Sequence, residues 1–274
     1  MKSLNTYKIF IYTALPCEAK AFIEHYKLKK DLAVHAFAVY LNNDICLAVS
    51  GLGKSAMAAA VAYTQARYTS AEHPVLINIG IAGHQHQLLG ELCLIDKITD
   101  VDSQKSYYPS LISSSPCQRA SLQTVSKPQS QYHESELCDM EASAFYETAV
   151  RFTTSELIVC LKVISDNQDS SVDAINAKQV SALIAAQLST IETLLIQTSA
   201  LATLITVAEP PLYNELLQRY HFTAHQRQQL KSQLTRWCVL SDQQALVIDD
   251  NDLVSGKDLL RYLESRLNTI AFTL

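Results

Sequence analysis

Short apolar runs and longer amphipathic stretches alternate along the first two thirds of the chain. Runs of apolar, β-branched and aromatic residues predict strands at residues 8–13, 33–40, 45–49, 75–79, 91–95 and 156–164. Stretches of helical composition predict helices at residues 19–26, 54–68, 140–153 and 172–196. Because strands alternate with helices, the pattern predicts an α/β layered fold with a largely parallel or mixed sheet.

The pattern changes twice along the chain. Residues 100–136 are polar and interrupted by prolines, so we predict a loop with one short strand at residues 122–125. After the proline pair at 210–211, two amphipathic helices follow, each opened by a capping-box pattern, Thr223-x-x-Gln226 and Ser255-x-x-Asp258. We therefore predict one domain at residues 1–199 and a helical C-terminal appendage at residues 200–274.

The composition excludes some classes of partner. The 274 residues carry a formal net charge of -5 and no long Lys/Arg run, so we expect neither a nucleic-acid partner nor a membrane partner. Seven cysteines are scattered without a Cys-x-x-Cys pair, which is typical of reduced, buried thiols. No apolar stretch of membrane-spanning length lacks a charge, and residues 1–7 are too polar for a signal peptide. We expect a soluble, cytoplasmic protein.

Several motifs that suggest a cofactor or a metal are incomplete. Gly53-Lys54-Ser55 ends like a P-loop, but Ala48 stands where that loop needs its first glycine, so a tight strand-to-helix turn fits better. His84-Gln85-His86 and His221-x-x-x-His225 each lack a nearby third ligand for zinc. Residues 249–252 have the composition of a calcium loop without its spacing. The sequence predicts no metal site.

Three carboxylates occupy positions at which ligands bind in α/β folds. Glu18 follows the first predicted strand, Asp166 follows the strand at residues 156–164, and Glu141 lies at the start of a predicted helix. Each has an ordinary explanation, because a carboxylate at a helix start caps the helix or complements its dipole. Together with the glycine turns after two strands, they converge on one edge of the predicted sheet, which indicates a binding site.

Five short motifs then occur in the order in which one known family carries them. They are Ala14-Leu15-Pro16-Cys17-Glu18, Ser50-Gly51-Leu52-Gly53-Lys54, Asn78-Ile79-Gly80-Ile81-Ala82-Gly83, Asp139-Met140-Glu141-Ala142 and Ile164-Ser165-Asp166. Over roughly residues 7–197 the chain resembles the nucleoside phosphorylase superfamily, specifically its hydrolytic branch typified by methylthioadenosine/S-adenosylhomocysteine nucleosidase. The resemblance implies a three-layer α/β/α sandwich, no cofactor, and a homo-oligomer in which a dimer is the expected state.

The resemblance also implies an activity and the residues that carry it. The expected reaction is cleavage of the N-glycosidic bond of a purine nucleoside or thionucleoside. Asp166 matches the general acid that acts at N7 of the purine, with Ser165 orienting it, and Glu18 matches the carboxylate that activates water. Glu141 matches the residue that holds the ribose hydroxyls, and Met140 matches one that packs on the sugar. The remaining expected substrate-binding residues are Leu52, Ala82, Gly83 and Lys162.

The chemistry of glycosidic cleavage is consistent with these roles. The reaction passes through an oxocarbenium-like state, so it needs an acid at the leaving base and a base for water on the other face of the sugar. Asp166 must then hold a proton near neutral pH, which burial beside Val163 and Ile164 favours. Glu141 accepts two hydroxyl bonds best when it is ionised.

Two alternatives stay open at the sequence level. A phosphorylase needs cations around phosphate, but the strand before the Gly80 turn reads Val75-Leu76-Ile77-Asn78, without arginine, so water is the expected nucleophile. The second alternative is a nucleoside-binding or sensor protein without turnover. Ile81 and His84 motivate it, because they replace a small hydroxyl residue and a glycine of the resembled family.

Further departures concern the pocket for the base. Lys162 stands where arginine is common in the resembled family, and residues 100–136 form a shorter segment than the one that supplies much of the base pocket there. Within that segment, Pro128 and Tyr132 are the expected walls of the pocket. The base and the sugar substituent therefore cannot be predicted from the sequence.

Overall fold

The structure, a computed structural model, describes residues 6–110, 115–128, 135–170, 175–205, 209–241, 246–248 and 253–269. Internal contacts divide the chain into two compact units, Met1–Thr206 and Val207–Leu274. The predicted boundary after residue 199 falls inside a helix that continues to Ile205, so the observed division lies a few residues further along the chain.

The described part of the first unit contains a mixed sheet of ten strands with helices on its two faces. The strands are β1 (Tyr7–Thr13), β2 (Lys29–Lys30), β3 (Ala38–Asn42), β4 (Ile45–Val49), β5 (Ser70–Gly83), β6 (Leu92–Asp100), β7 (Ser106–Tyr107), β8 (Gln118–Thr124), β9 (Glu136–Asp139) and β10 (Ile158–Asp166). The helices are α1 (Pro16–His25), α2 (Lys54–Arg67), α3 (Ala142–Ala149), α4 (Ala177–Ala186) and α5 (Leu188–Ile205), with a 3-10 turn at Ser155–Leu157. The predicted α/β fold with a mixed sheet is confirmed.

The strand order brings the ends of several strands to one edge. β1 is parallel to both β4 and β5, and β10 is parallel to β5. The path β10, β6, β8, β9, β5 closes into a ring, because β5 also pairs with β10. In this register Thr13 lies beside Val49, and Asp166 lies beside Gly83. The segments that leave β1, β4, β5 and β10 therefore begin side by side, where ligands bind in open α/β sheets.

The central strands are buried on both faces, which explains their uninterrupted apolar runs. In β1, Phe10 and Tyr12 pack in one cluster with Phe145 of α3, whereas Ile11 packs in the opposite cluster with Phe22 of α1. Helices α2 and α3 cover the first face, and α1, α4 and α5 cover the second. Complete burial of one such side chain contributes about 1.5–3 kcal/mol, so the two clusters hold the strand ends in a fixed arrangement.

The predicted loop at residues 100–136 contains β7 and β8, and β9 begins at its last residue. The short strand predicted at residues 122–125 corresponds to the end of β8, which begins earlier, at Gln118. β7 has two residues, and β9 has four, with Leu137 and Asp139 buried and Glu136 and Cys138 half-buried. Neither strand contains an apolar run, since β9 has a carboxylate at each end. Pairing with β8 and β5 stabilises β9 instead, a strand that the sequence did not predict.

Helices differ from the prediction at their ends. The helix predicted at residues 172–196 is two helices, because the chain leaves helical geometry at Gln187, whose side chain donates to the Gly90 carbonyl at 2.7 Å. Residues 172–174 of that prediction lie outside the described residues. The helix predicted from residue 140 begins only at Ala142, since Glu141 is its N-cap residue and has a φ of -131°, outside helical geometry. The strand predicted at residues 33–40 begins at Ala38.

Helix α5 is the most apolar of the described helices. Within the described residues it is the one helix with the length and apolar composition of a membrane span, and 17% of it is buried. Its buried residues Ile191, Leu194 and Leu195 belong to the same cluster as Ile11 of β1.

The second unit consists of three helices in its described residues. They are α6 (Tyr213–Arg219), α7 (Ala224–Leu240) and α8 (Gly256–Thr269), and leucines 216, 230, 234, 259 and 263 form their common core. The Thr223 hydroxyl accepts from the Gln226 N–H, and Ser255 and Asp258 bond reciprocally, so both predicted capping boxes are confirmed. Helix α6 was not predicted, since seven residues give too short a period. The predicted acidic loop at 249–252 lies outside the described residues.

Candidate active site

A cavity of about 590 Å³ lies at the edge where the strands end. Its wall is mostly apolar and includes four carboxylates. The lining residues are Ala14, Leu15, Pro16, Cys17, Glu18, Leu52, Ile81, Ala82, Gly83, Val125, Pro128, Cys138, Asp139, Met140, Glu141, Ser165, Asp166, Ile175, Asn176, Ala177 and Val180. An apolar cavity with a few convergent polar groups is the usual form of a small-molecule site.

Glu18 lies in the first turn of α1, directly after β1, and 2% of its surface is exposed. Main-chain N–H groups of Ala14 and Leu15 donate to Oε2, each at 2.8 Å, and the Ile81 N–H donates to Oε1 at 2.9 Å. Burial raises the pKa of Glu18, while these donors and the Lys162 ammonium act in the opposite direction. The backbone of two strand ends therefore fixes the orientation of this carboxylate.

Asp166 ends β10 and is 4% exposed. The Ser165 hydroxyl donates to its Oδ1 in a short hydrogen bond, and the same hydroxyl lies 3.4 Å from the Ala82 carbonyl oxygen. The main-chain carbonyl of Asp166 accepts from the His84 N–H at 3.1 Å. The end of β10 is thus tied to the end of β5, and both residues of the predicted Ser-Asp pair line the cavity.

His84 belongs to the turn that holds Asp166. It is buried, and its Nδ1 accepts from the N–H groups of His86 and Gln87, each at 3.1 Å. Because Nδ1 accepts these two bonds, it carries no proton. The bonds join the His84 ring to the main chain of the turn. Among the described residues no cluster of His, Cys, Asp and Glu has the geometry of a metal site.

Glu141 is the N-cap residue of α3 and faces the cavity beside the turn that opens α2. Its Oε1 accepts from the Gly53 N–H at 2.7 Å. Gly53 has a φ of 95°, a left-handed conformation that favours glycine. Burial and the neighbouring carboxylate of Asp139 raise the pKa of Glu141 to about 7. Glu141 is therefore about half protonated at neutral pH.

Lys162 does not line the cavity. It is 1% exposed, and its Nζ lies 2.8 Å from Oδ2 of the equally buried Asp139. Thr124 donates to Asp139 Oδ1, and the Ala142 N–H donates to Oδ2, each at 2.8 Å. Asp139 is a cavity residue that the sequence reasoning gave no role. Two features of the sequence point to a role for Asp139. It lies two residues before Glu141, and a lysine within an apolar strand, such as Lys162, needs an acidic partner when it is buried.

The other residues that were predicted to bind substrate line the cavity. Met140, Ala82 and Gly83 are lining residues, and Leu52 is at the rim with 59% of its surface exposed. Of the two expected walls of the base pocket, Pro128 lines the cavity, whereas Tyr132 lies outside the described residues.

The start of α4 forms a wall that the sequence reasoning missed. Ile175, Asn176, Ala177 and Val180 face the cavity, and the Asn176 side chain caps α4 by accepting from two main-chain N–H groups. The capping-box pattern at Asn176 predicts a helix start but not its position beside Asp166.

Two thiols also line the cavity. Burial raises the pKa of Cys138 to about 12, and it raises the pKa of Cys17 above its ordinary value. Both side chains are therefore protonated at neutral pH. A thiolate nucleophile is not available from either residue, and the reactive groups of this cavity are its carboxylates.

The fold is that of the nucleoside phosphorylases and hydrolases. Among solved structures, the chain is similar to MTA/SAH nucleosidases. One is a variant of MTAN from Chlamydia trachomatis bound to MTA, with 18% identity, a TM-score of 0.54, and coverage of 69% of this chain and 98% of that chain. Another is 5'-methylthioadenosine nucleosidase from Arabidopsis thaliana in apo form, with 14% identity, a TM-score of 0.56, and coverage of 70% and 96%.

MTAN from Chlamydia trachomatis bound to adenine is similar to the same extent, with 19% identity, a TM-score of 0.53, and coverage of 69% of this chain and 98% of that chain. At these identities the likeness establishes the fold, and the predicted resemblance is confirmed at that level. No protein-family model and no curated protein match the chain.

Proposed function

We propose that the protein is a nucleosidase that hydrolyses the N-glycosidic bond of a purine nucleoside or thionucleoside. The observation that carries the proposal is the arrangement of Glu18, Glu141 and Asp166 around one cavity of about 590 Å³. Solved structures of the same fold hold MTA or adenine, which supports a purine nucleoside as the substrate. No metal or cofactor is needed for this reaction, because two carboxyl groups supply the acid and the base.

Asp166 is the proposed acid at the leaving base. Its partner Ser165 holds Oδ1, so the carboxyl group keeps a fixed orientation towards the cavity. Proton donation to N7 of the purine turns the base into a neutral leaving group while positive charge develops on the sugar. An acid in this role contributes typically about 10²–10⁴ in rate.

Glu18 is the proposed activator of water. A carboxylate oxygen can accept two hydrogen bonds, and Ile81 supplies one of them to Oε1 within the described part of the chain. Oε1 can therefore accept a second bond, from a water molecule. Because three main-chain donors fix Glu18, this water is held in one place, and such positioning lowers the barrier to its attack.

Glu141 is the proposed partner of the ribose hydroxyls. It accepts from Gly53 through one oxygen, and its carboxylate faces the same cavity as Glu18 and Asp166. The ionised form accepts hydroxyl bonds best, and a pKa of about 7 means that this form predominates only above neutral pH. Met140, next to it, supplies an apolar surface for the sugar.

The test is base release by Asp166→Asn. We expect the variant to lose about 10²–10⁴ of the rate of purine release from a panel of nucleosides, while the KM changes little. Asp169→Asn is the matched control. It makes the same chemical change at an exposed position three residues further along the chain. Full turnover by the Asp166 variant would contradict the assignment of the acid.

Product analysis decides between water and phosphate as the nucleophile. Hydrolysis yields the free sugar with or without phosphate, and a sugar 1-phosphate that forms only with phosphate would contradict the proposal. Tight calorimetric binding of nucleosides without base release would instead indicate a binding protein. The homo-oligomeric state and the cytoplasmic location stay predictions of the sequence.

A further inference from the structure

Lys162 and Asp139 form a buried ion pair next to the cavity. Both side chains are 1% exposed, and Nζ lies 2.8 Å from Oδ2. Removing two charges from water costs several kcal/mol for each, and apolar residues often stabilise a fold as well as such a pair does. A contribution to stability is therefore a weak explanation of this pair. Its position beside the cavity suggests a functional explanation.

Gly80 shows what the ammonium faces. Lys162 pairs with Gly80 in the register of β10 and β5. A Cβ atom on residue 80 would lie 2.9 Å from Glu18 Oε1 and 3.4 Å from Lys162 Nζ. The carboxylate of Glu18 and the ammonium of Lys162 therefore both border the space that a side chain at residue 80 would fill.

The charges around Lys162 act on both glutamates. Burial opposes the ammonium, but the carboxylates of Asp139 and Glu141 outweigh it, so the pKa of Lys162 lies above its ordinary value. Cys160 is neutral, because burial raises its pKa to about 12. The Lys162 charge lowers the pKa of Glu18 and of Glu141 against burial. Asp139 acts on Glu141 in the opposite direction.

We propose that Asp139, in the cavity wall, and Lys162, behind it, form a positioning pair. Asp139 fixes the ammonium, and the charge of the ammonium keeps Glu18 and Glu141 in the charge state that the reaction uses. Lys162 acts through these glutamates, because it does not itself line the cavity. The inference rests on the proposed function, since that function gives the two glutamates their roles.

The experiment follows the titration of the two glutamates directly. Carboxyl carbons of labelled glutamate are followed by NMR over pH, and the Glu18→Gln and Glu141→Gln variants assign the two signals. Three variants are compared with the wild type: Lys162→Met, Lys162→Arg, and the double variant Asp139→Asn with Lys162→Met. The double variant leaves no unpaired buried charge, so it folds even if the single methionine variant does not.

The expected pattern differs between the two glutamates. Glu18 titrates higher in both methionine variants, by on the order of one pH unit, or a tenfold change in its ionisation constant. Glu141 titrates higher in Lys162→Met and returns towards the wild-type value in the double variant, because the repulsion from Asp139 is then also removed. Lys162→Arg keeps both titrations near the wild-type values.

The pH profile of base release gives the second measurement. The acid limb of kcat/KM is expected to follow the Glu18 titration in each variant, with Lys162→Arg retaining the wild-type limb. Unchanged titrations in both methionine variants would overturn the inference and leave the pair a structural feature. If the wild type releases no base from any nucleoside, the proposed function fails, and the NMR titrations still decide whether the pair acts on the glutamates.

Discussion

Glu141 makes the protein's stability depend on pH in a direction opposite to that of an ordinary carboxylate. Its pKa is raised from 4.5 to about 7 in the folded chain by burial and by Asp139. Between these two values the folded state binds more protons than the unfolded state, so the stability falls as the pH rises. The full penalty above pH 7 is about 3 kcal/mol, at about 1.4 kcal/mol for each pH unit.

The perturbation is Glu141→Gln, which keeps the shape of the side chain and removes its titration. Urea unfolding, followed by far-UV circular dichroism, is measured at pH 5 and pH 8. We expect the wild type to lose about 2–3 kcal/mol more than the variant between these values, because Glu141 is largely protonated in the fold at pH 5 and ionised at pH 8. Titrating groups that do not interact with Glu141 are common to both proteins and cancel in the difference.

Glu147→Gln is the matched control. Glu147 lies on the same helix but is exposed, and Lys105 holds its pKa below the ordinary value. Its removal therefore cannot reproduce the effect of Glu141→Gln. Parallel pH dependence in the wild type and in Glu141→Gln would refute the reasoning, since it would mean that Glu141 is ionised in the fold at pH 5.

Two glycines give the remaining predictions. Gly80→Ala places a Cβ atom 2.9 Å from Glu18 Oε1, so the carboxylate must move. We expect kcat for base release to fall about 10–100-fold in steady-state assays. An unchanged kcat would contradict the role of Glu18. Gly256→Ala places a Cβ atom 2.7 Å from the His221 carbonyl oxygen, so we expect the free energy of unfolding of the second unit to fall by about 1–3 kcal/mol. The measurement is urea unfolding followed by the fluorescence of Trp237, the single tryptophan. Base release is expected to be unchanged in that variant, and a proportional loss of activity would show that catalysis depends on the second unit.

The sequence predicted the strands that have both faces buried, because such strands leave continuous apolar runs. Residues 8–13 and 156–164 correspond closely to β1 and β10. It could not predict β9, which has a carboxylate at each end and is stabilised by its neighbours in the sheet. It also missed the break at Gln187, since the bond from that side chain to Gly90 joins residues 97 positions apart. Tertiary hydrogen bonds of this kind have no local signal.

The candidate site was predicted from motifs, and the structure shows what the motifs leave out. Each motif contains a residue that touches the cavity, but the contacts between motifs depend on strand register. Lys162 meets Asp139 because β9 and β10 both adjoin β5, and the ammonium and Glu18 both border the space beside Gly80. A sequence motif identifies side chains, whereas the charge state of each side chain depends on partners from other motifs.

The two glutamates show how this dependence separates identical side chains. Glu18 accepts from three main-chain N–H groups, all of which favour its charged form. Glu141 accepts from Gly53 and lies near the carboxylate of Asp139, which disfavours its charged form. Burial raises the pKa of both glutamates, but Glu18 has three main-chain donors that oppose this rise, whereas Glu141 has one donor and a repelling carboxylate nearby. Because the charge of Lys162 acts on both glutamates, its removal alters the base and the sugar-binding group together.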